Sequence, residues 1–171
     1  MHIDEREAVA QFLARPDSQS YSALFRVLVS RVTGYFRARG CRPPADEDLA
    51  QDVLLTVYLQ SHQLRDRNLF RPWLFKIARN TLLQHRRKPE LEEAGDLDVH
   101  AAPAADPLAG MQMRQWLAVL NPDEREAVLL RYVEGLEYHE IASALEIPLG
   151  TAQWRVFQSK KKLAARFGRS G

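Results

Sequence analysis

The sequence predicts an all-α protein built from two small helical domains. Three observations carry this expectation. Apolar residues recur at spacings of three and four nearly throughout. No run alternates as a half-buried strand would. One internal stretch, residues 90–110, loses that periodicity and is rich in Glu, Asp, Ala and Pro. A length of 171 residues holds one ordinary domain or two small ones, and 46% hydrophobic with 27% charged residues is a globular composition.

Asp4 to Ala14 is predicted to be a short amphipathic helix with Val9, Phe12 and Leu13 inward. A longer helix beginning near Ser18 or Ser20 carries the stripe Leu24, Val27, Leu28, Val32, Tyr35 and Phe36, and Gly40 closes it. A third starts after Pro43-Pro44, with Asp46, Glu47 and Asp48 at its positive end and Leu49, Val53, Leu54, Val57 and Tyr58 along it. The polar loop SHQLRDRN leads to a fourth helix, FRPWLFKIARNTLLQHRRK, with Pro72 in its first turn. Beyond the acidic stretch, Met111, Met113, Trp116, Leu117 and Leu120 resume the pattern. Asn121-Pro122-Asp123-Glu124 is a helix start: Asn caps, Pro suits the first position and Glu completes a capping box. That helix runs through Val128, Leu129, Tyr132 and Val133 to Gly135, and two shorter ones follow near Tyr138–Leu145 and Gly150–Arg166. The expected domains are 1–89 and 107–171, joined by a flexible acidic linker over 90–106.

The net charge of +2 conceals a segregation. Gln60 to Pro89 holds eight Lys/Arg against one acid, Glu90 to Gly110 holds six acids and no Lys/Arg, and Gly150 onward holds six Lys/Arg and no acid. Basic blocks are the electrostatic footprint of phosphate contact, although any one of them is equally a solvated helix face. Catalytic residues are not expected: no histidine pair, Ser-His-Asp arrangement or Gly-rich phosphate loop stands at useful spacing. Cys41 is the single cysteine, so neither an internal disulfide nor a thiolate cluster forms, and no metal or cofactor is expected. The charged start MHIDEREAVA has no apolar signal core and no run approaches a membrane span, so a cytoplasmic protein without membrane insertion is expected.

Two stretches carry chemistry. In EYHEIASALEIPLGTAQWRVFQSKKKL a short helix places Ile141, Ala142 and Leu145 inward. A turn with Pro148 and Gly150 follows, then a second helix with Ala152 and Val156 inward. This is helix-turn-helix spacing, in which the second helix enters the major groove of DNA. Its outward residues would be Thr151, Gln153, Trp154, Arg155, Gln158 and Ser159, with Lys160, Lys161 and Lys162 continuing toward phosphates. In FRPWLFKIARNTLLQHRRK, Trp73, Phe75 and Ile77 alternate with Arg71, Lys76, Arg79, Arg86 and Arg87. Such interleaving serves either to stack unpaired bases or, for the apolar members, simply to build a core.

The runs DEDLAQDVLLTVYL and LRDRNLFRPWLFKIARN closely resemble region 2 of bacterial sigma factors, and NPDEREAVLLRYVEGLEYHEIASALEIPLGT closely resembles their region 4. With only these two blocks and a short linker, the chain resembles an extracytoplasmic-function sigma factor from about Tyr21 to Leu163. The resemblance implies promoter-specific transcription initiation in partnership with core RNA polymerase, through its β′ clamp helices and β flap, with promoter DNA, and with an anti-sigma factor. Asp48, Gln51 and Asp52 match the polar positions of the family's DLxQE-type motif and imply core-polymerase binding, with Leu55 adding apolar contact. Arg65, Asp66, Arg67 and Asn68 match the loop that reads the melted −10 element, with Arg71, Lys76, Arg79, Asn80 and Arg86 gripping the strand. Region 4 implies binding of the −35 element as duplex, and the acidic linker resembles the segment that threads toward the polymerase active centre.

One departure stands out. Where the family reads GTVKSRLxRAR, this chain reads GTAQWRVFQSKKK, so Gln153, Trp154 and Phe157 replace basic, small and polar residues. Trp154 is bulky for a groove face; it either contacts a thymine methyl or is buried against another helix. Atypical −35 recognition is therefore expected. A stand-alone helix-turn-helix regulator is the alternative reading, though such a protein needs neither DLAQD nor WLFKIARN; a pure interaction protein has only the unusual recognition helix in its favour.

Overall fold

The computed structural model describes residues 4–88 and 107–168, and among them every regular element is helical. The chain forms two compact units, Met1–Ala102 and Pro103–Gly171. The linker expected over 90–106 and the side chain of Met111 lie outside the described residues.

The first unit consists of α1 (Glu5–Ala14), α2 (Ser18–Arg37), α3 (Ala45–Gln60) and α4 (Phe70–Arg86), with single 3₁₀ turns at Ser61–Gln63 and Arg67–Leu69. Helix α2 begins at a reciprocal cap: the Asp17 carboxylate accepts from the Ser20 N–H at 2.9 Å, and the Ser20 hydroxyl accepts from the Asp17 N–H at 3.1 Å. The Ser20 N–H holds the Asp17 carboxyl below its ordinary range. After α2 the chain turns through Gly40 at φ +90°, a conformation that an added Cβ would strain. The apolar stripes meet as expected: Phe12 of α1, Leu24, Leu28, Val32, Tyr35 and Phe36 of α2, Val53, Leu54 and Val57 of α3, and Phe70, Leu74 and Phe75 of α4 are all essentially inaccessible. Val27, Leu13 and Tyr58 sit only half-buried, at the margins of their stripes.

Polar ties fix the α2–α3 corner. Asp46, fully buried in the first turn of α3, accepts from the Arg37 guanidinium of α2, and Arg37 also approaches Glu47 at 3.8 Å. The buried Arg39 guanidinium lies over the Tyr35 ring at 3.4 Å and donates to the Tyr35 carbonyl at 2.9 Å. Arg86, at the end of α4, donates to the Arg39 carbonyl at 2.8 Å.

The second unit consists of α5 (Pro107–Ala118), α6 (Pro122–Tyr132), α7 (Tyr138–Leu145) and α8 (Leu149–Phe167). The expected capping box opens α6: Asn121 Oδ1 accepts from the Glu124 N–H at 2.8 Å and Glu124 Oε2 from the Asn121 N–H at 3.1 Å. Arg125 holds the end of α5 by donating to the Leu117 and Leu120 carbonyls. Gly135, at φ +71°, turns the chain between α6 and α7. Leu117, Leu130, Leu136, Ile141, Ala144, Ala152 and Val156 make the core.

Three expectations are corrected here. Tyr132 and Val133 do not continue the buried stripe of α6; both are more than half exposed, at the point where the helix ends. Ala144 rather than Ala142 is the small residue fully buried on α7. The reversal between α7 and α8 is made by Glu146 in the left-handed region at φ +55°, with the Ile147 N–H returning to the Ala142 carbonyl at 3.0 Å; Gly150 lies inside α8. The α2–α3 corner yields a prediction. Asp46→Ala removes the partner of a partly buried guanidinium and should cost about 2–3 kcal/mol, whereas Glu47→Ala, at an exposed pair, should cost under ~0.5 kcal/mol; urea unfolding followed by circular dichroism compares them.

Candidate functional site

Helix α3 buries one face and offers the other. Leu49, Ala50, Val53, Leu54 and Val57 point into the core, while Asp48, Gln51, Asp52 and Leu55 are all exposed. Their spacing of three, one and three places them along one side of the helix. Leu59, one turn beyond Leu55, is 62% exposed and extends the same face; it was missed in the sequence although its spacing from Leu55 marks it. The face thus runs from acids at the start of α3 to leucines at its end, a mixed surface suited to another protein.

Helix α4 separates its interleaved residues. Phe75 and Ile77 are buried, with Phe75 packed on Tyr35 at a ring separation of 5.7 Å, so of the two alternatives these residues take the core and neither stacks a base. Trp73, half-buried against Phe70 at 6.1 Å, shares the outer side with Lys76, Arg79 and Asn80. Arg87, just past the helix, is exposed. In the preceding loop, Arg65, Arg67 and Asn68 are exposed, while the Asp66 carboxylate accepts from the Asn68 N–H at 2.9 Å and so shapes the turn. Arg71 is drawn toward α1, its Nε 3.9 Å from Glu5, whose carboxylate also pairs with Arg31 at 2.6 Å.

The second unit has the helix-turn-helix form, with α7 and α8 packed on α6. Thr151 and Gln158 are half-buried; Gln153, Trp154, Lys160 and Lys161 are exposed. Trp154 is 56% and Phe157 58% exposed, which decides against burial of Trp154 on another helix of its unit. Ser159 does not face outward. It is fully buried, and its hydroxyl donates to the Arg155 carbonyl at 2.7 Å and the Glu124 carbonyl at 3.3 Å. The position lies one turn beyond Val156 and Ala152, so the helical period carries it into the core. Arg155, expected among the outward residues, and Lys162, expected toward phosphates, are also engaged: Arg155 pairs with Asp123 at 3.1 Å, and Lys162 with the buried Glu124 carboxylate at 2.8 Å. Lys160 lies 5.4 Å from the Tyr132 ring centroid, and a hydrogen bond to the Tyr132 hydroxyl holds its ammonium above its ordinary range.

Among the described residues no cluster of His, Cys, Asp or Glu is arranged to hold a metal ion, and no helix is long and apolar enough to cross a membrane. Burial pushes the Cys41 thiol up, away from the reactive thiolate form.

A protein with one helical unit presenting a mixed acidic and apolar face and another carrying a basic helix-turn-helix is of the class that joins DNA to a protein machine. Residues 24–90 match the model of sigma-70 region 2, and residues 110–163 that of sigma-70 region 4. The chain is 33% identical to the RNA polymerase sigma factor CarQ of Myxococcus xanthus, over 87% of this chain and 90% of that one. It is 29% identical to the ECF RNA polymerase sigma factor SigF of Caulobacter vibrioides, over 90% and 89%. A solved structure, the sigma factor RpoE in complex with the anti-sigma factor NepR from Bartonella quintana, has the same fold, with a TM-score of 0.69 at 24% identity over 85% of this chain and 95% of that one. The chain belongs to the extracytoplasmic-function group of the sigma-70 family, and its role is that of a sigma factor in transcription initiation.

Two outcomes follow from this geometry. Lys162→Ala removes the cationic partner of the buried Glu124 carboxylate, leaving it only the Asn121 N–H, and should lower stability by about 2 kcal/mol, whereas Lys161→Ala should stay within ~0.5 kcal/mol; thermal unfolding distinguishes them. Maleimide at pH 8 should modify Cys41 well below the rate of an unstructured cysteine, and urea should restore that rate.

Proposed function

We propose that this sigma factor joins core RNA polymerase through the outer face of α3 and selects promoters with two separate DNA-reading surfaces. The observation that carries the reading is the joint exposure of Asp48, Gln51, Asp52 and Leu55 on that one face, opposite the buried Leu49, Ala50, Val53, Leu54 and Val57. These residues dock on the clamp helices of the β′ subunit, and Leu59 adds to the apolar end of the contact. Arg65, Arg67 and Asn68 in the loop, with Trp73, Lys76, Arg79 and Asn80 on α4, take the melted strand of the −10 element; cations hold its backbone and the indole offers a stacking surface. Asp66, Arg71 and Arg86 support that surface by shaping the loop and tying α4 to its neighbours.

Helix α8 lies in the major groove of the −35 element. Thr151, Gln153, Trp154 and Gln158 face base edges, and Lys160 and Lys161 hold phosphates. Arg155 and Lys162 chiefly fix the helix on α6, as does Ser159 from inside the core. The domains are residues 1–89 and 107–171, joined by the acidic stretch 90–106 as a tether. The β flap and an anti-sigma factor complete the partners, and the work is done in the cytoplasm, where polymerase and promoter meet. Run-off transcription with bacterial core polymerase on a genomic promoter pool tests the reading. Promoter-specific transcripts are expected, and Asp48→Ala with Gln51→Ala should weaken polymerase binding about tenfold or more without lowering the melting temperature. Unchanged polymerase affinity in that double variant would remove α3 from the interface.

A further inference from the structure

The aromatic pair on α8 stands outside the core of its own unit. Trp154 and Phe157 are 56% and 58% exposed, and they lie three residues apart on the side of α8 opposite Ala152, Val156 and Ser159, which are buried. Gly150, one turn before Trp154, shares that side. A Cβ built there meets nothing within 4 Å, so the fold itself has no need of a glycine at this helical position. The same side ends at Lys161, whose ammonium lies 5.9 Å from the Phe157 ring centroid. From Leu149 to Phe167 the helix carries no acid, and with Arg155 and Lys162 paired to α6 it still exposes Lys160, Lys161 and Arg166, so the occupant that fits it is a polyanion. Bare backbone, two aromatic rings and a cation thus follow one another along a single outer line.

We propose that Trp154 and Phe157 read thymine methyl groups on neighbouring base pairs of the duplex, with Gly150 leaving room for the close approach; this rests on the assignment of α8 to the major groove. Phe157 has no donor or acceptor, so it gains from a base edge only where that edge is apolar. In the major groove the thymine C5-methyl is the group of that kind, the other edges presenting donors and acceptors. The two residues are separated by ~4.5 Å along the helix axis, comparable with the ~3.4 Å step between bases, so the rings meet adjacent rather than distant pairs. Sugar carbons are also apolar, but they are the same in every sequence and specify nothing.

The test uses the holoenzyme reconstituted with core polymerase. A randomised duplex pool is enriched by binding, and the selected duplex is then made with deoxyuridine replacing thymine at one position at a time, which removes only the methyl. The enriched site is expected to contain neighbouring thymines whose replacement weakens binding about fourfold each. Trp154→Ser and Phe157→Ser should each lose sensitivity to one of those replacements while keeping the wild-type melting temperature, and Gly150→Val should fold but bind the enriched duplex less tightly. A selected duplex that is bound equally well with deoxyuridine at every position overturns the methyl reading and leaves the duplex assignment standing. Equal deoxyuridine sensitivity in the two serine variants overturns it as well. Enrichment of no duplex sequence overturns both.

Discussion

In each unit a carboxylate is buried in the first turn of a helix and draws in a cation from a different helix. Asp46 does this at the start of α3 with Arg37 of α2, and Glu124 at the start of α6 with Lys162 of α8. A carboxylate at that end of a helix is favoured by the unpaired N–H groups and the positive pole of the macrodipole, which offset part of the cost of its burial. Once placed, it becomes a fixed point to which the second helix must bring its charge. Helix α3 is thereby clamped at its start with its outer face toward solvent. Helix α8 is clamped through Arg155, Ser159 and Lys162, which leaves Trp154, Phe157 and Lys161 on the opposite side.

This arrangement divides the basic residues into two populations with different work. Arg37, Arg39, Arg86, Arg155 and Lys162 are engaged by carboxylates or carbonyls of their own unit. Arg65, Arg67, Arg87 and Lys161 project from the surface. Cations already neutralised within the fold release fewer counterions when a polyanion binds, so the second population supplies most of the attraction to DNA. Charge density in the sequence therefore overstates the charge available for recognition.

Much of the architecture was legible because helical periodicity and capping are local. The Asn121-Pro122-Asp123-Glu124 start and the Gly40 and Gly135 stops lie within a few residues of the structure they specify. The outer face of α3 was equally readable, since Asp48, Gln51, Asp52 and Leu55 follow from the same period that buries Leu49, Val53 and Leu54. Periodicity failed where its phase was ambiguous. Ser159 was placed outward by its polarity, although its spacing from Ala152 and Val156 puts it inside. For Phe75 and Ile77 the sequence leaves stacking and core both open, because interleaved cations are compatible with either; their burial decides for the core.

The sequence by itself determined the helices, the two-domain order and the family, because hydrophobic spacing and motif order are properties of the chain as a string. Only the tertiary structure decided which cations are spent on the fold, that the buried Glu124 carboxylate anchors α8, and that Trp154 stands exposed. Those outcomes depend on residues as far apart as Glu124 and Lys162 meeting at 2.8 Å, and no local pattern encodes that meeting.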